Sequence, residues 1–166
     1  TGFYGAYDGK HRLGYQVQTV SSNSLLVLAP GEYSNYLKRN PNWWPWVSGG
    51  QRVISPTGFS CVSVEDFLQK RDSGPHLERA TITAFESLQD SYDYIAADIT
   101  ASYNSTRFSE PGNAAKVSLV TRQFLYLRSQ AAFVIFDRVD TTDAKFLPKF
   151  LLHSLSKPHS DSERTV

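Results

Sequence analysis

The chain has 166 residues, a length that suits one domain with its own core. Its charge is balanced, 17 basic against 16 acidic residues, which excludes the broad basic footprint of a nucleic-acid-binding protein. Aromatic residues make up 13% of it, with nine Tyr and three Trp, a composition that suits β-structure with an amphipathic surface.

In chain order, the sequence opens at Thr1-Gly2-Phe3, already strand-like and without an initiator Met. It is therefore expected to be a piece of a longer precursor. The segment QTVSSNSLLVLAP (18–30) runs small polar residues into an apolar strand at 24–29, stopped by Ala29-Pro30-Gly31. Next comes a long loop, 31–50, holding all three Trp, and loops of this length are usually functional or disordered. QRVIS (51–55) reads as a strand ended by Pro56. VSVEDFLQK (62–70) is the one helix candidate, with Ser63 as N-cap and Asp66 three residues on.

From there the pattern is all strand. RATITAFES (79–87) alternates Ala80, Ile82 and Ala84 with Thr81, Thr83 and Phe85. YDYIAADITASY (92–103) follows, and then 116–129 and 131–140 form a hairpin turning near Ser129-Gln130. KFLPKFLLHSLS (145–156) is the last strand, where Pro148 signals an edge or a bulge. The expected fold is all-β, an antiparallel two-sheet β-sandwich of about eight strands with at most one short helix. It occupies residues 1–158, with 159–166 a frayed tail. No apolar run reaches membrane-spanning length, so neither a membrane nor a nucleic acid is an expected partner.

Nucleophile elbows, Gly-rich phosphate loops and paired-cysteine zinc motifs are all missing from the sequence. Cys61 is alone, so no internal disulfide forms. Asn104-Ser105-Thr106 is a glycosylation sequon, a triplet common by chance.

Four patches in order carry a resemblance: YQVQTVSSNSLLVLAP; SGGQR (48–52); YIAADITASY (94–103); and RQFLYL with FVIFDRV and KFLLHSLSKP. Together, from about Phe3 to Pro158, they resemble the C-terminal β-sandwich region of the heparinase II/III-like polysaccharide lyases. The resemblance implies a parent that pairs an α/α toroid with this sandwich and cleaves acidic, uronic-acid-containing polysaccharide by β-elimination. The toroid would lie upstream. The family's chemistry neutralises the uronate carboxylate, removes the C5 proton with a base, and protonates the leaving oxygen. It implies a secreted, periplasmic or cell-surface protein acting on a glycosaminoglycan or alginate-like substrate. Because the toroid is missing, the chain by itself is expected to be inactive.

The resemblance also implies site residues. Tyr15 falls where family members carry a cleft tyrosine, against the alternative of a packed strand tyrosine. His11 shares its loop. Relatives tend to carry a zinc site whose second histidine directly precedes the asparagine that opens a strand. Here that asparagine is Asn23 and the residue before it is Ser22, which is not a zinc ligand type, so no zinc or other cofactor is expected in this chain.

Other residues are weighed on their chemistry. Gln51 and Arg52 follow Gly49-Gly50, which permits positive φ and close backbone approach. The planar fork of Arg52 suits a carboxylate or sulfate of the substrate, or equally a structural ion pair with Asp98 or Asp137. Trp43, Trp44 and Trp46 suit stacking on sugar rings, or else cover an end of the sandwich. His153, alone on its strand, and Asp137-Arg138, on an apolar one, read as architecture. A non-catalytic carbohydrate-binding or structural module is the alternative, and exposed edge strands would let such a module form homo-oligomers.

Overall fold

A computed structural model describes residues 11, 15–16, 18–30, 32, 49–52, 61–72, 80–104 and 114–156. Trp43, Trp44, Trp46, the rest of the 31–48 loop apart from Glu32, positions 53–55 of the expected second strand, and the tail lie outside the described residues.

The fold class is the expected one. Among the described residues, strands form two antiparallel sheets, and one helix is longer than a single turn. Strand β1 (Leu25–Leu28) pairs with β6 (Leu147–Phe150), Leu25 opposite Phe150 and Val27 opposite Pro148. Strands β2 (Thr81–Leu88), β3 (Tyr92–Asp98), β4 (Val117–Leu127) and β5 (Ala132–Thr141) form a four-stranded meander in chain order. Helix α1 (Val64–Asp72) starts with reciprocal capping: Ser63 Oγ accepts from the Asp66 N–H, and Asp66 Oδ2 accepts from the Val62 N–H.

Tight turns set the meander. Asp90 takes φ 66° in the β2–β3 turn, a left-handed conformation that Asp tolerates. The β4–β5 loop spans Arg128 to Ala131, around the expected Ser129-Gln130 position, and closes with the Ala131 N–H donating to Arg128 O.

The expected strand at 92–103 divides. It stops at Asp98, whose Oδ1 accepts from the Thr100 N–H, and helix α2 (Thr100–Tyr103) turns the chain inward. Thr100 Oγ1 then accepts from the Val120 N–H, fixing that turn to β4. The inward turn delivers Tyr103 to the core. A second difference lies in β2, where a bulge between Ile82 and Ala84 sets them opposite Ala97 and Ala96 respectively. The clean alternation expected there is broken, because a single inserted residue moves Ile82 and Ala84 to opposite faces. The final strand also ends early: β6 stops at Phe150, and residues 151–156 are irregular.

The core sits where the two sheets meet. Leu25 and Val27 of β1 pack with Tyr103 and with Val117 and Val120 of β4, flanked by Ile99, Val139 and Phe146. Tyr103 donates its hydroxyl proton to Leu25 O at 2.8 Å, which satisfies the one polar atom it brings inside. Since side chains alternate along a strand, the register puts Val120, Arg122 and Phe124 on the same face as Val139, Asp137 and Ile135. That face looks toward β1 and β6.

Candidate functional site

Between the two sheets lies an open cleft of about 450 Å³, lined by Leu25, Ile135, Asp137, Val139, Pro148, Lys149 and Phe150. Its walls are mainly apolar, with Asp137 and Lys149 the charged residues among them. Arg122 grips Asp137 with two bonds, Nε to Oδ1 at 2.7 Å and Nη2 to Oδ2 at 2.9 Å, the fork geometry that makes such pairs strong. Asp137 in turn holds the Arg122 pKa above its ordinary value. The third arm of Arg122 donates to Asn23 O at 3.2 Å, and its guanidinium lies 5.8 Å from the Phe150 ring. Asn23 Oδ1 accepts from the His153 N–H at 2.7 Å, with His153 Nδ1 3.2 Å from the same oxygen. Asn23, Arg122, Asp137 and His153 therefore form one chain of hydrogen bonds that joins β4 and β5 to the segments just before β1 and just after β6. Lys149 and His153 are exposed, and Phe150 is half exposed.

A second polar group is fully inside. Glu32 Oε1 accepts from Arg52 Nε at 2.7 Å and from Lys116 Nζ at 3.0 Å. Lys116 also donates to the carbonyls of Gly49 and Gly50, and Arg52 Nη1 to Ala114 O. The backbone N–H of Arg52 bonds Ser102 O at 2.7 Å. Lys116 lies 5.5 Å from the Tyr103 ring centroid. Two cations and one anion are thus buried together, which proteins tolerate only when each is hydrogen-bonded. The cluster clamps the Gly49–Arg52 segment to the start of β4.

Burial lowers the Lys116 pKa to about 8, with the Glu32 charge opposing it, and desolvation raises the Tyr103 pKa to about 12. The pH dependence of stability follows. Between about 8 and the ordinary lysine value of 10.5, the unfolded chain holds the Lys116 proton and the folded chain does not, so stability rises with pH. Between 10 and about 12 the unfolded chain loses the Tyr103 proton while the folded chain keeps it, so stability falls. The urea midpoint is expected to climb from pH 8 toward pH 10 and then drop. Lys116→Met is expected to abolish the climb.

The expected site residues separate into three groups. Tyr15 and His11 come together, ring centroids 5.6 Å apart, and both are exposed. Gln51 is exposed, and its N–H donates to Thr19 Oγ1 at 2.8 Å, joining the Gly-Gly-Gln-Arg patch to the polar run before β1. Arg52 is placed otherwise than expected. It pairs with Glu32, not with Asp98 or Asp137, and only 2% of its side chain is exposed, so the guanidinium is committed to the fold. Asp137 belongs to Arg122, as the architectural reading of that strand requires, while Arg138 pairs with Asp140 at the surface.

Ser22 ends the 3-10 turn Thr19–Ser21 and is exposed. Among the described residues no group of three His, Cys, Asp or Glu side chains could hold a metal ion. Asn104 is engaged at both ends of its amide: Nδ2 donates to Val117 O at 2.6 Å, and Oδ1 accepts from the Lys116 and Val117 N–H groups. That amide starts β4, a structural use for a residue read as a sequon. Arg122, Lys116 and Glu32 carry much of the polar geometry, and sequence reasoning did not select them. Arg122 sits at an inward position of an apolar strand directly opposite Asp137, and that cross-strand register was the available signal.

The fold and site define an all-β, sandwich-like protein with an open inter-sheet cleft. No protein-family model, curated protein or solved structure matches the chain. Among the described residues no helix is long and apolar enough to cross a membrane.

Proposed function

We propose that this chain is the sandwich region of a polysaccharide lyase-like protein that acts on or binds uronic-acid-containing polysaccharide outside the cytoplasm. One observation supports the reading. The sequence patches that carry the resemblance lie far apart in the chain yet meet in space, through Thr19 with Gln51, Asn23 with His153 and Arg122, and Arg122 with Asp137. The cleft beside them suits an acidic sugar: Lys149 offers a solvated cation for a carboxylate, and the Phe150 ring offers an apolar surface for a sugar's CH face.

A second reading, a non-catalytic carbohydrate-binding or structural module, draws on two observations. Ser22 stands where the family's zinc histidine is expected, and Arg52 is consumed by Glu32. Ultraviolet absorbance of unsaturated uronates separates the two readings. The longest natural protein containing this chain is mixed with a panel of uronate polymers. Growth of the absorbance supports the lyase, and its absence on every polymer, with binding retained, leaves the module.

A further inference from the structure

The backbone of His153 serves the fold, since its N–H donates to Asn23 Oδ1 at 2.7 Å. The ring has a further chemistry. The ladder between β1 and β6 continues one bond past β6, with the Leu151 N–H donating to Ser24 O at 2.8 Å. Two residues on, the Asn23 side chain replaces the backbone as acceptor, while Asn23 O is taken by Arg122. The backbone donor settles the protons of this pair. A backbone N–H only donates, so the Asn23 atom that meets it is the amide's carbonyl oxygen, which only accepts. His153 Nδ1, 3.2 Å from the same oxygen, therefore carries a proton. In the neutral ring this leaves Nε2 as a bare acceptor. His153 is exposed, and among the described residues no partner meets Nε2.

Its location gives that acceptor a use. The Arg122 guanidinium reaches Asn23 O with Nη1 and lies 5.8 Å from the Phe150 ring in the cleft wall. The His153 imidazole is thus tied to the Phe150 end of the cleft, and Lys149 lines the same wall. A sugar ring whose CH face lies on an aromatic side chain carries hydroxyls around its rim, and each hydroxyl is a proton donor. We infer that His153 is a substrate-binding residue whose Nε2 accepts a hydrogen bond from a hydroxyl of the sugar unit that Lys149 and Phe150 hold. Asn23 is its positioning residue, and Arg122 fixes Asn23. The inference rests on the polysaccharide reading, to which it adds the group that recognises a hydroxyl beside those that recognise the carboxylate and the CH face.

Two measurements test it. Nitrogen-15 spectra of protein labelled at histidine, at about pH 8 where an ordinary imidazole is neutral, are expected to show Nδ1 protonated and Nε2 bare. The signals that vanish in His153→Phe assign the ring. The second measurement is affinity electrophoresis of the longest natural protein containing this chain, through the uronate polymer that retards it most. His153→Phe is expected to bind about three- to tenfold more weakly, the loss typical of one neutral hydrogen bond. His153→Gln is expected to stay within about twofold of wild type, because its carbonyl still supplies an acceptor. Both variants keep the backbone bond to Asn23 and are expected to keep the far-ultraviolet spectrum. The opposite tautomer, equal retardation of wild type and His153→Phe, or equal losses in both variants overturns the inference and leaves the polysaccharide reading standing. Wild-type protein that no uronate polymer retards overturns that reading, and this inference with it.

Discussion

Replacing Glu32 by glutamine is expected to destabilise the fold by about 3–5 kcal/mol at neutral pH, the cost typical of breaking a buried charge group by removing one partner. The substitution leaves Arg52 and Lys116 facing each other, 2% and 0% exposed, with no anion between them. The shape of the side chain is kept, so packing loss contributes little. Lys116 has a way out that Arg52 lacks, because its pKa already sits at about 8 and a lysine can shed its proton where an arginine cannot. The destabilisation is therefore expected to be smaller at about pH 9 than at about pH 6. Urea unfolding at the two pH values measures this. An equal loss at both would show that charge is not what Glu32 supplies.

The second large effect is expected at Gly49. Its φ is +70°, and an added Cβ would lie 2.5 Å from Leu28 Cδ2, 3.0 Å from Val27 O and 3.1 Å from Leu28 Cα. The leucine methyl can turn aside, but the two backbone atoms belong to β1 and cannot. The left-handed conformation costs roughly 1–2 kcal/mol for alanine, and crowding adds about 1–3 kcal/mol. Gly49→Ala is thus expected to lower stability by about 2–5 kcal/mol, read as a drop in the urea midpoint at constant slope. Gly49 O accepts from both the Val27 N–H and Lys116 Nζ. Displacing it loosens β1 and the buried cluster together.

These two residues show what was and was not legible beforehand. Gly49-Gly50 announced positive φ and close approach, and Gly49 has both. Apolar runs and turn residues marked four strands, β1, β2, β4 and β5, to within two positions at each end, since alternation and turn chemistry are local. Long-range choices were hidden. Nothing near Arg52 in sequence points to Glu32, twenty residues back across an aromatic loop, and so its partner was sought among the strand aspartates. The bend after Asp98 was also hidden, because Ile99–Tyr103 has the composition of a strand. The turn is made by the Asp98 and Thr100 side chains together with the place Tyr103 finds in the core. At the cleft, Asn23 and His153 were each visible as single polar residues, but their hydrogen bond spans 130 positions and exists only once β1 and β6 pair.

Affinity electrophoresis of the chain through gels containing a uronate polymer tests the central reading most directly. Migration is expected to be retarded by at least one polymer of a panel covering alginate-like and glycosaminoglycan types. Lys149→Ala is expected to weaken that retardation about tenfold, the loss typical of one charge-assisted contact. Unretarded migration in every uronate gel, with the chain folded, would contradict it.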